Sequence, residues 1–309
     1  MPRVTVLMSV YNGARWLREA LDSVLGQTYR DFEFVIVDDG STDDSAAILA
    51  SVRDPRITLV RQPNQGLAAA LNRGLREARG ELVARQDQDD VSLPERLARQ
   101  VAAMDAQPRT GLLGTQAETI DAEGRACFVR RYPTDSLVLK WQVMFDNPFV
   151  HSSVMLRRAA LDDVGGYSTD PRRQPPEDYE LWLRLVSRWD VGNLPEVLLR
   201  YREAAGSMMR SGERPFAATA RALSLEALRR VAGGALPDAR LLRVLDFVNR
   251  AGPPAGAVEL AGVVRDLGTL ERAFCRHYGL GVRAALGLKL RNRRRLAHRA
   301  LAMARGVVR

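Results

Sequence analysis

The chain has 309 residues, 46% of them hydrophobic, enough for one large α/β domain with an appendage or for two domains. Two distant cysteines, Cys127 and Cys275, argue against a disulfide framework, and three histidines supply a zinc site poorly, so any metal is expected to be held by oxygen. The net charge of +9 is concentrated at one end: residues 272–309 hold 11 of the 46 basic residues and no acid, leaving a nearly neutral body of 35 basic and 37 acidic side chains.

That localisation, 6% aromatics and the lack of any recognisable binding motif rank nucleic-acid binding low despite the high charge. No run of 18 apolar residues predicts a membrane span. The N-terminus runs directly into Val4–Met8 without the layout of a signal peptide, which makes a cytoplasmic location the expectation.

Residues 3–10 are apolar and β-branched and end at the turn Tyr11-Asn12-Gly13. Apolar pairs at 16–17, 20–21 and 24–25 then recur at helical spacing. Phe32–Val37 is a second strand, apolar almost throughout as a strand covered on both faces should be. It ends in Asp38-Asp39-Gly40-Ser41-Thr42, where Ser41 and Asp44 offer a capping-box-like start to a helix through Leu49. Ile57–Val60 is a third strand, Gly66–Ala78 a helix and Glu81–Arg85 a fourth strand. This rhythm predicts a doubly wound, mostly parallel sheet, with ligands beyond the carboxyl ends of its strands.

The fourth strand runs into Gln86-Asp87-Gln88-Asp89-Asp90, three carboxylates within four positions. Such crowding is unfavourable unless a cation or donors lie between them, and period-two alternation would point Asp87 and Asp89 the same way, as a hard divalent cation requires. An acidic turn capping the helix near Pro94 accounts for the same residues. Asp38-Asp39 likewise reads either as a ligand site or as a strand-to-helix turn. No GxGxxG follows the first strand, so a mononucleotide site fits better than a dinucleotide one.

Residues 106–210 are less regular. Strands are predicted at Thr110–Ile120, Ala126–Arg131, Ser152–Leu156 and Val197–Tyr201. His151 precedes one of them and reads as structural or as lining an acceptor pocket. Pro176-Glu177-Asp178-Tyr179 opens a helix that buries Leu181, Trp182, Leu185 and Val186. Its two acids suit the helix dipole, and equally a general base beside a cleft. From about residue 214 the pattern is helical, at 217–231, 238–250, 258–274 and from about 282. In the last of these, Arg291, Arg295 and Arg299 lie away from the Leu/Ala side, which suits an anionic membrane surface, an acidic partner, a second subunit or simply solvent.

Taken together, residues 4–12, 20–28, 34–42, 65–74, Asp87-Gln-Asp-Asp90 with Ser92-Leu-Pro-Glu-Arg96, and Glu177-Asp178-Tyr179-Glu-Leu-Trp182 resemble family 2 glycosyltransferases over roughly residues 3–207, in that family's order. The resemblance implies a GT-A fold, a nucleotide-sugar donor (often a UDP-sugar), a Mn²⁺ or Mg²⁺ ion, inversion at the anomeric carbon, and a glycan or lipid-linked acceptor of cell-envelope polysaccharide synthesis. By position it places Val10, Asn12 and Asp39 at the base and ribose, with Asp87 near the ribose. Asp89 becomes the chief metal ligand with Asp87 beside it, and Asp178 the catalytic base with Glu177 in support. Arg202 and Ser207 fall near the diphosphate. The family commonly has His where this chain has Ala204, which bears on metal use and keeps a non-catalytic sugar-nucleotide-binding protein as the alternative. The expected organisation is a nucleotide-sugar half over 1–105, an acceptor half over 106–210 and a helical region with a basic tail over 211–309. The expected location is cytoplasmic, with the tail touching the inner membrane face.

Overall fold

The computed structural model describes residues 1–203, 214–249, 257–281 and 287. These divide into two compact units: Met1–Leu139 with the described part of Asn147–Thr219, and Lys140–Asp146 with the described residues from Ala220 onward.

The first unit is built on a nine-stranded sheet. Its opening strands β1 (Val4–Val10), β2 (Phe32–Asp38), β3 (Ile57–Arg61) and β4 (Leu82–Gln86) are parallel neighbours in the order β3-β2-β1-β4. Every residue of β1, β2 and β4 is buried, because helices cover both faces. One face carries Val4, Val6, Met8, Phe34, Ile36 and Leu82 against Leu17, Leu21 and Val24 of α1 (Ala14–Leu25) and Leu97 and Met104 of α4 (Arg96–Ala106). Each such large apolar side chain contributes roughly 1.5–3 kcal/mol by leaving water. On the other face α3 (Leu67–Glu77) lies so close to β1 that a Cβ on Gly74 would come within 2.2 Å of Leu7 Cδ1.

Beyond β4 the sheet becomes mixed. The short β5 (Val91–Ser92), β6 (Thr110–Ile120), β7 (Ala126–Arg130), β8 (Met155–Arg157) and the long β9 (Asp190–Arg202) extend it as β4-β8-β6-β9-β5, with β7 paired to β6. Only β6 and β9 pair in parallel in this half. A parallel first half merging into a mixed second half agrees with the GT-A fold expected from the sequence.

Three local expectations need correction. The Ser41–Asp44 capping box does not form: α2 (Ser45–Ser51) has no side-chain cap, and Ser41 Oγ instead accepts from the Asn12 N–H at 3.1 Å. Residues 151–153 are a 3₁₀ turn, with the strand beginning only at Met155. Asp87 and Asp89 lie in a turn after β4, so strand alternation does not decide where they point. The short helices α5 (Ser136–Gln142) and α6 (Arg158–Val164) had no clear sequence signal, whereas α7 (Glu177–Leu185) buries Leu181, Trp182 and Leu185 as its spacing predicts.

The second unit contains α8 (Arg214–Ala232), α9 (Asp238–Val248) and α10 (Ala257–His277), close to the predicted helices. Asp266, 1% exposed, accepts from Arg240 and Arg243 and so ties α10 to α9. Lys140–Asp146 belongs to this unit although it lies far away in sequence: Trp141 meets the Phe274 ring edge-on at 5.2 Å, and the Asn249 amide donates to the Phe145 carbonyl at 2.7 Å. Among the described residues no helix is long and apolar enough to cross a membrane. The basic helix expected from about residue 282, with Arg291, Arg295 and Arg299, lies outside the described residues apart from Gly287, and so do Ala204 and Ser207.

Candidate active site

The chain leaves β1 toward β2 and β3, then returns to place β4 on the other side of β1. Strand order therefore reverses between β1 and β4, where open α/β sheets form a crevice at the carboxyl ends of the strands. Val10, Asp38 and Gln86 end the three strands at this edge, with Val10 opposite Asp38 and Met8 opposite Gln86. Tyr11–Gly13, Asp39–Ser41 and Asp87–Asp90 consequently stand side by side.

Much of the hydrogen bonding here joins these loops to each other. Val10 is buried, and its carbonyl accepts from the Asp39 N–H at 2.8 Å. Asn12 takes a left-handed φ of 50°, which Asn tolerates better than most residues, and its Oδ1 accepts from the Thr42 N–H at 2.8 Å. Asp39 is buried and gathers the loop after β3: Oδ1 accepts from Gln62 Nε2 and the Gln65 N–H, and Oδ2 from the Gly66 N–H. Gln88 crosses the crevice, its amide exchanging two bonds with the Tyr11 backbone.

The acidic turn is braced from below by groups that sequence reasoning had not assigned. Gln86 accepts from Ser92 and Arg96, and its amide donates to the Asp90 carbonyl. Arg96, fully buried, also donates to the carbonyls of Arg85 and Val154, and burial lowers its pKa to about 9. Asp90, 1% exposed, accepts from Ser152 Oγ and from the Arg202 N–H, which knots the turn to the 3₁₀ segment and to β9. Burial and the charges of Asp89 and Asp87 hold its carboxyl well above the usual range.

Arg202, expected near the diphosphate, ends β9 beside the acidic turn. Its guanidinium is 1% exposed and engaged with the carbonyls of Asp89, Asp121 and Ala122 and with Glu19 Oε2 at 2.5 Å. Here it holds the backbone of the acidic turn.

Asp87 and Asp89 are left partly accessible. Asp87 takes one bond from Arg85 at 2.6 Å and is 28% exposed. Asp89 has its pKa pushed up to about 6, first by burial and then by the negative charge of Asp87.

Across the cleft, α7 presents Glu177 and Asp178 in its first turn. Asp178 Oδ1 accepts from the Tyr179 N–H at 2.6 Å and Oδ2 from the Asn147 amide at 2.8 Å. Burial raises its pKa to about 6 against those two donors, and the charge of Asp87 adds to the rise. Glu177 goes up to about 7, through burial first and the Asp178 charge second. His151 lies behind them, with Nε2 2.9 Å from the Tyr167 hydroxyl and Nδ1 3.7 Å from Glu177 Oε1. Burial and then the charge of Arg85 keep its pKa well below the usual value, so it is neutral near pH 7. The Tyr167 backbone is held in turn by Asn72 of α3, through bonds of 2.8 and 3.0 Å.

Adjacent residues of the 3₁₀ segment link the two acidic groups: His151 Nδ1 lies 3.7 Å from Glu177 Oε1, and Ser152 Oγ donates to Asp90. The surrounding charges bear on a cation. Six carboxyl groups (Asp87, Asp89, Asp90, Glu177, Asp178 and Glu19, the partner of Arg202) gather around three buried guanidiniums (Arg85, Arg96, Arg202), an excess of acidic groups. Among the described residues no three His, Cys, Asp or Glu side chains form a ready-made metal cage. Two oxygen-donor carboxylates fit a Mg²⁺- or Mn²⁺-type ion, which completes its shell with water and substrate phosphate.

Residues 5–165 match the family model for glycosyl transferase family 2. EpsE of Bacillus subtilis is 35% identical over 216 residues, 68% of this chain and 76% of that protein. The amylovoran biosynthesis glycosyltransferase AmsE of Erwinia amylovora is 35% identical, covering 66% and 77% of the two chains, and the O-antigen biosynthesis glycosyltransferase WbnJ of Escherichia coli 32%, covering 64% and 79%. Among solved structures, residues 1–349 of S. aureus TarS, crystallised with UDP-GlcNAc, superpose with a TM-score of 0.63 at 19% identity over 88% of this chain and 81% of that one, a likeness of fold. With the strand order, the crevice and these matches in agreement, the chain belongs to glycosyl transferase family 2 and is a glycosyltransferase of the GT-A fold.

Proposed function

We propose that this glycosyltransferase is inverting and metal-dependent, moving a sugar from a UDP-sugar to a hydroxyl of a glycan or lipid-linked acceptor in cell-envelope polysaccharide synthesis. One observation carries the reading: the adjacent residues His151, beside Glu177, and Ser152, bonded to Asp90, bring the head of α7 and the acidic turn to one place, as residues around a single bound sugar would be. TarS, crystallised with UDP-GlcNAc, supports the donor class, and the names of AmsE and WbnJ support the acceptor class.

The nucleoside lies in the crevice against Val10, Asn12 and Asp39, within residues 1–105, with Asp87 toward the ribose. Asp89 and Asp87 would hold a Mn²⁺ or Mg²⁺ ion, whose chemistry when bound is to offset the charge developing on the leaving diphosphate. Asp178, on the acceptor side within 106–210, takes the proton from the acceptor hydroxyl as that oxygen bonds to the anomeric carbon and the bond to the diphosphate breaks. A single displacement with one base inverts the configuration. Asn147 and the Tyr179 N–H fix the Asp178 carboxylate for this transfer, and Glu177 supports it. Neutral His151, locked on Tyr167, shapes the acceptor wall. The reading keeps a cytoplasmic location, with the inner membrane face or a second subunit as the partner of the basic sequence beyond residue 281.

The test incubates the protein with UDP-sugars, Mn²⁺ and candidate acceptors and measures released UDP and product anomer. Inverted product from wild type and none from Asp178→Asn is expected. Full turnover by Asp178→Asn refutes the base assignment, and retained anomeric configuration refutes the single displacement.

A further inference from the structure

Arg85 has no part in the chemistry above, yet it is 0% exposed at the heart of the site. It sits one residue before the end of β4, and Gln86, the next residue, is bonded to Arg96. Nη2 donates to Asp87 Oδ1 at 2.6 Å, Nη1 donates to the Gln86 carbonyl, and Nε is buried without a partner. Burying a guanidinium on so few bonds is unfavourable unless further negative charge lies near. That charge is present on α7. Arg85 acts on Glu177 there, on Asp89 in the acidic turn, on His151 in the 3₁₀ segment and on Tyr167, and it repels Arg96 of α4.

We propose that Arg85 is a positioning residue for sugar transfer: it occupies Oδ1 of Asp87 so that Oδ2 faces the donor, and it is the fixed positive charge shared by the acidic turn and the Glu177–Asp178 pair. The proposal rests on the glycosyltransfer reading of this site. Without the guanidinium, Asp87 loses the partner that sets its rotamer, and the two acidic pairs repel across the cleft. Lysine at this position keeps the charge but not the planar fork that reaches the Gln86 carbonyl and Asp87 together. Charged and polar groups act on Glu177 from Arg85 of β4, Asp87 of the acidic turn, Asp178 and His151 of the 3₁₀ segment, and on Asp178 from Asp87, Asn147 and the Tyr179 N–H.

The experiment measures UDP affinity by calorimetry without divalent ion, and the pH dependence of transfer, for Arg85→Gln, Arg85→Lys, Asp87→Asn and Arg85→Gln/Asp87→Asn. Arg85→Gln is expected to weaken UDP binding about tenfold in the wild-type background and less than about twofold beside Asp87→Asn, the non-additivity of contacting residues. Its acid limb should move up, because Glu177 loses the positive charge of Arg85 and Asp87, whose charge raises the pKa of Asp178, loses its partner. Arg85→Lys should weaken UDP binding while the limb stays in place. Additive losses, or an unmoved limb in Arg85→Gln, overturn the proposal. If Arg85→Gln does not fold, Arg85→Lys decides: wild-type UDP affinity overturns the proposal, and weakened affinity with an unmoved limb supports it. Should Asp178→Asn transfer sugar at the wild-type rate, the glycosyltransfer reading fails, while the binding cycle still reports on the Arg85–Asp87 pair.

Discussion

Asp178→Asn preserves the shape of the side chain and removes its charge, which separates what that charge does for catalysis from what it does to stability. In the fold its pKa is about 6, against an ordinary 3.8. A pKa raised by folding stabilises at low pH, where the group is protonated, and that contribution is lost as pH rises through about 6. At pH 8 the ionised carboxylate therefore destabilises the fold by about 3 kcal/mol, taking about 1.4 kcal/mol per unit. The amide relieves that but accepts at one oxygen only, so one of the bonds from Tyr179 and Asn147 goes, at about 1 kcal/mol.

With a chelator present, the variant should be more stable than wild type by about 2 kcal/mol at pH 8, or roughly 4 °C in Tm. At pH 5 the linkage contribution halves to about 1.5 kcal/mol and the advantage nearly disappears. Turnover should fall by about 10²–10⁴, the usual worth of a general base. Melting curves at the two pH values, paired with UDP-release assays, check both halves. A variant destabilised equally at pH 5 and pH 8 would refute the claim that burial and Asp87 strain this carboxylate.

In wild type, transfer should fall about tenfold per pH unit below about pH 6 as Asp178 takes up its proton, read from initial rates in saturating donor. Mn²⁺ added to UDP should raise the Tm of wild type beyond UDP alone but not that of Asp89→Asn, and EDTA should abolish that additional rise; an equal additional rise in both would remove Asp89 from the cation site. Asn72→Ala breaks both bonds to the Tyr167 backbone and should cost about 2 kcal/mol in urea unfolding, lowering kcat more than it raises donor KM. Gly40→Ala puts a Cβ 2.7 Å from the Asn64 backbone nitrogen at a φ of 78°, and should destabilise by about 1–3 kcal/mol with weakened UDP binding, since Asp39 shares that loop.

The sequence alone determined the parallel half of the sheet, because β1, β2 and β4 are near-continuous apolar runs separated by helical periodicity, a local signal that the sheet order only arranges. It also determined that acids stand at the ends of β2 and β4 and at the start of α7, since turns and helix starts are written in adjacent residues. Tertiary structure decided the rest. Asp38 and Ser41 form a turn instead of a capping box because Asn12, some 30 positions earlier, supplies a competing partner. Residues 140–146 join the helical unit through the Trp141 ring against Phe274 and the Phe145 carbonyl accepting from Asn249, partners that lie beyond any local pattern. The same reason hid the roles of Arg85, Arg96, Asn147 and Arg202. A charged or amide side chain has no periodicity to betray burial, and which carboxylate or carbonyl it meets is fixed only when distant strands are laid side by side.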